Sequence, residues 1–310
     1  LTEPRKTSES SAFTHMDIFK YQKLVNRNVL VVHRVNECDE RKKTNFVNKY
    51  LIEANRVADS TVFVSTWLKN LFINQGLKNH NLRVILSGAN AELFNSENTD
   101  VWTAEKPLKI VTHHWGANWN KGFAIYKKLD ELLSKSEYKE KLEFTYIGNL
   151  PSKVKFQNSS VVNPLSGKAL ANEVKNHHAY LTGSLNEPSG NHHIEGAQCG
   201  LPILYIDSGG IPEYCENYGL KFTEDNFENI LQEFIINFSK LKSNMHTYPH
   251  DSDQMCSEYE NLFIKLLESR EQIVKVRKTP YRINILDQII YLISRKLNLE
   301  FKKFKVRFSK

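Results

Sequence analysis

The segment Asn186-Glu187-Pro188-Ser189-Gly190-Asn191-His192-His193-Ile194-Glu195 decides how the rest of the chain is read. It holds two glutamates with seven residues between them, and a Pro-x-Gly turn follows the first. The chain runs on through Gly196-Ala197-Gln198-Cys199-Gly200-Leu201-Pro202 and then Asp207-Ser208-Gly209-Gly210-Ile211-Pro212-Glu213. This order predicts a loop entering a helix, then a strand, then a glycine-rich loop entering a second helix. In an α/β domain that is the layout of a floor suited to an anion and a sugar.

Strands and helices alternate on both sides of this segment. Asn28-Val29-Leu30-Val31-Val32 is the continuous apolar run of a parallel strand buried on both faces, and His33 lies at its C-terminal end. Helical spacing over 45–58, a strand at 61–64, a helix capped by Ser65 and a strand at 82–86 follow. Polar residues 95–106 read as a linker. The pattern restarts with strand 108–112, helix 123–133, strands 142–147 and 160–162, helix 167–175, strand 179–181, helix 194–199 and strand 202–206. A helix after Pro212 and longer helices at 227–241 and 254–268 complete the second unit. The expected fold class is α/β, with two Rossmann-like domains, 1–100 and 101–270, facing a cleft. A basic amphipathic tail occupies 271–310. No βα unit is legible before residue 28, so the first domain is expected to be incomplete.

The length of 310 residues has room for roughly two domains. A hydrophobic fraction of 40% and a charged fraction of 25% fit a soluble globular protein. No run of about 18 apolar residues and no secretory signal is visible, so a cytoplasmic location is expected. The four cysteines lie far apart and form no CxxC pair, which argues against a disulfide framework or a zinc site and for a reducing compartment. Charge is unevenly spread. Residues 271–310 carry 11 Lys/Arg and 3 Asp/Glu, whereas the other 270 carry 31 and 32. The whole +7 excess sits in the tail, which suits a peripheral contact with an acidic surface better than a nucleic-acid-binding body.

Ligands of open α/β sheets sit beyond the C-terminal ends of the strands, and 187–195 follows strand 179–181 into that place. Gly190 has no Cβ, so backbone can approach a ligand closely. Amides at a helix start donate to phosphate oxygens, and a carboxylate accepts from two adjacent hydroxyls of a ribose or hexose. Two carboxylates flanking such amides suit a molecule with sugar at both ends of a diphosphate. Glu-x7-Glu alone reads equally as two solvated helix glutamates. Pro188, Gly190, Gly200-Leu201-Pro202 and the Gly209-Gly210 loop in register weigh against that. Adjacent His192 and His193 point about 100° apart on a helix and are badly placed to chelate one ion. No metal and no other cofactor is expected.

These residues resemble the donor-binding region of retaining glycosyltransferases of the GT-B fold, family 4. Thr112-His113-His114-Trp115 followed by Asn120-Lys121-Gly122-Phe123 looks like the family's first C-terminal-domain loop with its Lys-Gly pair. Ser87-Gly88-Ala89-Asn90 looks like its segment before the hinge. The resemblance covers roughly 29–267. It implies transfer of a sugar from a nucleotide-sugar donor, with retention, to a hydroxyl of a glycan or lipid-linked acceptor, as in surface polysaccharide synthesis. It implies that Lys121, with Gly122, binds the diphosphate and offsets leaving-group charge. Glu195 would take the ribose, Glu187 the transferred sugar, and Ser189, Gly190 and Asn191 would offer backbone amides. His33 would face the cleft and contact the donor sugar near the reacting carbon, making His33, Glu187 and Lys121 the catalytic set. An arginine usual before the Lys-Gly pair is missing, and a protonated His114 is the expected substitute. Arg34 and Glu37-Cys38-Asp39-Glu40 read as acceptor contacts or as a solvated loop, with the loop favoured.

In the tail, Ile285, Leu286, Ile289, Ile290, Ile293 and Leu297 form an apolar stripe at helical spacing, followed by mixed aromatics and cations over 301–308. Either residues 281–310 lie against an anionic membrane surface, or the helix packs back on the first domain. Two other readings compete for the whole chain: a donor-binding fragment without turnover, and a nucleic-acid-binding protein acting through the tail. No nucleic-acid partner is expected on the first reading.

Overall fold

The computed structural model describes residues 1, 4, 13–278 and 280–308, the stretch 298–308 by its backbone. The first sheet has three parallel strands, β1 Val32–Val35, β2 Ser60–Phe63 and β3 Leu82–Val84, in the order β1-β2-β3. Around it lie α1 His15–Leu24, α2 Asp39–Lys42, α3 Val47–Asn55 and α4 Thr66–Asn74. Ser65 caps α4 as the sequence predicts, its side chain accepting from Leu68 N at 3.2 Å.

The second sheet has six parallel strands: β4 Leu108–His114, β5 Leu142–Gly148, β6 Ser160–Val162, β7 Ala179–Thr182, β8 Ile203–Ile206 and β9 Gly219–Phe222. Its helices are α5 Phe123–Leu132, α6 Gly167–Lys175, α7 Asn191–Gln198, α8 Ile211–Cys215, α9 Phe227–Ile236 and α10 Phe238–Asn244. The strand order β6-β5-β4-β7-β8-β9 reverses direction at β4, between β5 and β7. Strands β7 and β8 are buried at every residue, the reason they read as unbroken apolar runs rather than alternating ones. The reversal opens a crevice at the C-terminal ends of β4 and β7. His113, His114 and the loop before α7 stand on its floor.

After the second sheet the chain returns to the first through α11 Ser252–Glu268, α12 Arg270–Val276 and α13 Ile285–Phe308. Leu262 and Leu266 of α11 cluster with Val62 and Ile85 beside the first sheet. The apolar partners of 252–268 therefore lie in the first unit, although the sequence assigns this helix to the second. The two crossings run against each other: Ala89 N donates to His250 O at 3.1 Å, and Ser252 N donates to Ala89 O at 2.7 Å. A Cβ on Gly88 would collide with Asp251 O, which explains a glycine at this crossing.

Some elements differ from the expectation for local reasons. Helix α7 begins at Asn191, three residues earlier than expected, because Gly190 is itself its N-cap. The helix expected over 227–241 divides at Asn237 into α9 and α10. Strand β9 was not legible, since Gly219-Leu220-Lys221-Phe222 has only four residues and no alternation of burial. All four cysteines are free, three of them buried.

A second set of contacts joins the units. The carboxylate of Glu213, in the first turn of α8, accepts from Thr66 N and Trp67 N, each at 2.8 Å. It caps the N-terminus of α4 across the cleft, with both oxygens on orphan amides and the charge favoured by the helix dipole. Tyr214 adds a second clasp: its hydroxyl donates to Val64 O and accepts from Ser87 N at 2.9 Å. Glu213→Ala is expected to lower unfolding free energy by roughly 1–2 kcal/mol in urea titration. An unchanged midpoint would show that the cap carries no stability.

Candidate functional site

The cleft is built around one buried carboxylate. Glu187 lies in the loop between β7 and α7, with its side chain only 5% exposed. Lys121 Nζ stands 2.6 Å from its Oε2, and Arg41 Nε stands 2.9 Å from its Oε1. Lys121 comes from the second unit and Arg41 from the first, so Glu187 joins the two across the cleft. Arg41 also pairs with Glu37, which Lys42 meets as well, so three cations stand against two carboxylates and leave one positive charge in excess.

Each partner is held by a local device. Lys121 ends a single 3-10 turn, Trp119–Lys121, whose start is capped by the Asn118 side chain accepting from Asn120 N at 2.9 Å. Gly122 then takes φ 102°, and a Cβ there would come within 2.7 Å of the Gly183 backbone. Both its conformation and the closeness of the loop after β7 require glycine at this position. Asp39 accepts from Val47 N, Asn48 N and Phe46 N at 2.9–3.1 Å, tying the loop before α3 and fixing α2, on which Arg41 sits. Asn120 Nδ2 donates to Arg41 O at 3.0 Å, and Arg41 Nη1 to Glu37 Oε1 at 2.7 Å. The segment 37–40 is thus not the solvated loop that the sequence favours, and Arg41 follows it into the site. Arg41 and Asn120 are site residues that sequence reading missed. The available signal was position: 37–41 directly follows the C-terminal end of β1, where ligands of parallel sheets collect.

Gly190, at φ 79°, caps α7 without a side-chain hydrogen bond, so the first amides of the helix stay available to an anion. A Cβ on Gly190 would lie 2.9 Å from Glu187 Cγ, so the helix start and the Glu187–Lys121 pair converge. Ser189 Oγ is 3.4 Å from Ser87 Oγ of the first unit, and Asn191 opens the helix on its exposed side. The glycine loop closes the floor from beneath, with Gly210 N donating to Glu187 O at 2.9 Å.

Glu195 lies further along α7, its Oε2 2.8 Å from His113 Nε2 and its side chain 21% exposed. The Tyr180 hydroxyl accepts from His113 N at 3.0 Å and lies 3.0 Å from His113 Nδ1. An ionised carboxylate only accepts, so the Nε2 that faces Glu195 at 2.8 Å carries a proton directed at it. The carboxylate is thereby fixed in orientation at the cleft edge.

Two expectations are corrected. His114 cannot supply the missing positive charge. It is 4% exposed, its Nε2 sits 2.7 Å from Tyr126 OH, and burial, helped by Lys121, holds its pKa well below the ordinary 6.5. It is a neutral core residue under the floor, and the second cation is Arg41. His33 does not join the cluster. It is fully buried, with Nδ1 2.9 Å from Asn55 Nδ2, in a polar network with Thr61 and Asn79.

The fold is that of the GT-B glycosyltransferases. Among solved structures, sucrose-phosphate synthase of Thermosynechococcus elongatus is similar with a TM-score of 0.61 at 14% identity, over 82% of this chain and 72% of that one. HepE of Anabaena in complex with UDP-glucose is similar with a TM-score of 0.64 at 13% identity, over 81% and 76%. At these identities the likeness defines the fold alone. In sequence, the chain is 26% identical over 115 residues to the phosphatidylinositol N-acetylglucosaminyltransferase gpi3 subunit of Schizosaccharomyces pombe. That stretch is 36% of this chain and 24% of the relative. No protein-family model matches.

Beneath the site lies a stack of buried imidazoles. His192 and His114 have ring centroids 4.4 Å apart, and His192 and His193 4.9 Å. Among the described residues neither ring nitrogen of His193 has a hydrogen-bond partner, and burial lowers its pKa to about 3. The folded values of these histidines lie below the unfolded value near 6.5. The unfolded chain therefore binds more protons as pH falls through about 6.5, and stability present above that pH is lost below it. The loss is at most about 1.4 kcal/mol per pH unit for each histidine. His193→Leu, which also removes two unsatisfied nitrogens, is expected to hold or raise stability near neutral pH and to flatten the fall in Tm below about pH 6.5. A variant as acid-sensitive as the parent would exclude His193 as a source of that loss.

Proposed function

We propose that the chain transfers a sugar from a nucleoside-diphosphate donor to a hydroxyl acceptor. The observation that carries this reading is the convergence of Glu187, Lys121 and the uncapped amides of α7 at the switch point of the second sheet. The diphosphate would lie over Gly190 and Asn191, with Lys121 reaching its oxygens. Glu195 would take the ribose hydroxyls, held in orientation by His113. Glu187 would share its oxygens between the transferred sugar and its two cations.

Charge grows on the diphosphate as the bond to the sugar breaks. Lys121, and Arg41 from the opposite unit, would oppose that charge in a poorly solvated place, where preorganised cations act with little reorganisation. Arg41 then does what the sequence assigns to His114. We further propose retention of configuration, an acceptor that is a growing glycan or a lipid-linked one, and a role in surface polysaccharide synthesis. The fold likeness and the short match to an N-acetylglucosaminyltransferase subunit favour this class of reaction.

We also propose that the tail holds the protein at an anionic membrane surface. Helix α13 meets α1 through Tyr291 and Arg295, which stack with Lys20 and Tyr21 at 5.9 and 5.7 Å. The apolar stripe points the other way, and Ile285, Leu286, Ile289, Ile290, Ile293 and Leu297 are 49–76% exposed. A helix packed back by its apolar face would have buried them. Among the described residues no helix is long and apolar enough to cross a membrane, so the contact would be interfacial.

Lys121→Ala and Glu195→Ala are each expected to weaken binding of the preferred nucleoside diphosphate about tenfold or more in calorimetry, by loss of a charge-assisted contact. Unchanged affinity in both would remove the site assignment. Ile289→Glu with Ile293→Glu is expected to abolish co-sedimentation with phosphatidylglycerol vesicles while leaving nucleotide affinity intact. Persistent sedimentation would contradict the role of the stripe.

A further inference from the structure

A cavity of about 1170 Å³ opens on the first unit, remote from the donor cleft. Its walls include residues 55–59, just before β2, and 78–81, just before β3, with Arg27 ahead of β1 and residues 273, 274 and 276–278 of the returning chain. It therefore lies at the N-terminal ends of the first sheet's strands, whereas Glu187 and Arg41 lie beyond C-terminal ends. Whatever occupies it is not the donor of the proposed reaction.

The lining is cationic. Lys23, Arg27, Arg56, Lys78, Arg277 and Lys278 all contribute. Asp59 is the one carboxylate in the lining, and it is already engaged: Arg277 Nε and Nη2 reach its two oxygens at 2.8 Å each, and Val31 N donates to it at 2.8 Å. That bidentate pair anchors one wall, and Arg56 is paired outside the lining with Glu53 at 2.8 Å, which leaves Lys23, Arg27, Lys78 and Lys278 without a carboxylate in the lining. Gln22 lines the cavity with its apolar stem, its Nε2 being enclosed by protein. Excess cations in the lining specify an oxygen-rich anion. The volume exceeds what one small ion needs.

We infer that this cavity is a second, separate anion site that takes a phosphate-bearing group. Two sources share that chemistry: a free diphosphate, and the phosphate headgroup of an anionic lipid. The wall continues through Pro280 into α13 at Ile285, where the exposed apolar stripe begins, so a headgroup in the cavity and the stripe in a bilayer could be engaged together.

Hydrogen exchange on the full chain tests this, with inorganic pyrophosphate as first probe. Protection is expected at 76–81 and 273–278, separately from any at 187–195. The triple variant Lys23→Glu, Arg27→Glu, Lys78→Glu should weaken protection at the cavity at least tenfold and leave 187–195 unaffected. The same three positions changed to Gln give a milder set that keeps the fold and should weaken it at least threefold. Phosphatidylcholine vesicles with phosphatidylglycerol, compared with phosphatidylcholine alone, separate the sources. Protection by the anionic vesicles, displaced by pyrophosphate, assigns a lipid headgroup; protection by pyrophosphate alone assigns a free phosphate compound. No cavity protection by either probe, protection that survives both triple variants, or protection by an RNA oligonucleotide alone overturns the inference.

Discussion

The ion triad of Arg41, Glu187 and Lys121 is the constraint on which the cleft depends. A carboxylate that is 5% exposed needs compensation, and here each oxygen meets a cation from a different unit. Its value for stability is modest, because desolvation of three charged groups cancels much of their attraction. Its value for geometry is larger. Removing Glu187 would leave two cations facing each other in a poorly solvated place, so the carboxylate fixes how closely the two units approach. The Glu213 cap and the Tyr214 clasp act in the same sense from the next turn of chain.

The polar floor works by a division of labour between charged and neutral groups. Around Glu187 and Glu37 the cations Arg41, Lys42 and Lys121 outnumber the carboxylates by one, which suits an anionic ligand. Directly beneath, the histidines that could have added charge are kept neutral by burial. The positive potential is therefore carried by Lys121 and Arg41. His114 and His192 hydrogen-bond to Tyr126 and Thr182, and His193 serves as packing. His113 differs in its partner: its Nε2 meets the Glu195 carboxylate and orients it.

Much of this was legible in sequence, and the reasons are physical. Buried parallel strands such as β7 and β8 announce themselves as apolar runs. Gly122 and Gly190 mark places where positive φ and close approach leave no alternative. The elements that were missed depend on tertiary placement. Arg41 looks like one of many surface cations until α2 is set beside Asn120. His33 follows an apolar run toward the cleft, but nothing local shows that Asn55 will hold it within the core. The helix expected over 254–268 packs on the first unit rather than the second for a similar reason, since an amphipathic helix does not state which sheet it will cover. The outward stripe of α13 was legible as a stripe but not as outward, because its direction is set by Tyr291 and Arg295 against α1.

The most direct test is a crystal structure with a bound nucleoside diphosphate, with UDP and GDP as the first two to try. Diphosphate density is expected within hydrogen-bonding distance of Lys121 Nζ and the Gly190–Asn191 amides, with the ribose hydroxyls on Glu195. Diphosphate density elsewhere, with Lys121 still paired to Glu187 and the α7 amides unengaged, would contradict the reading of this cleft as a donor site.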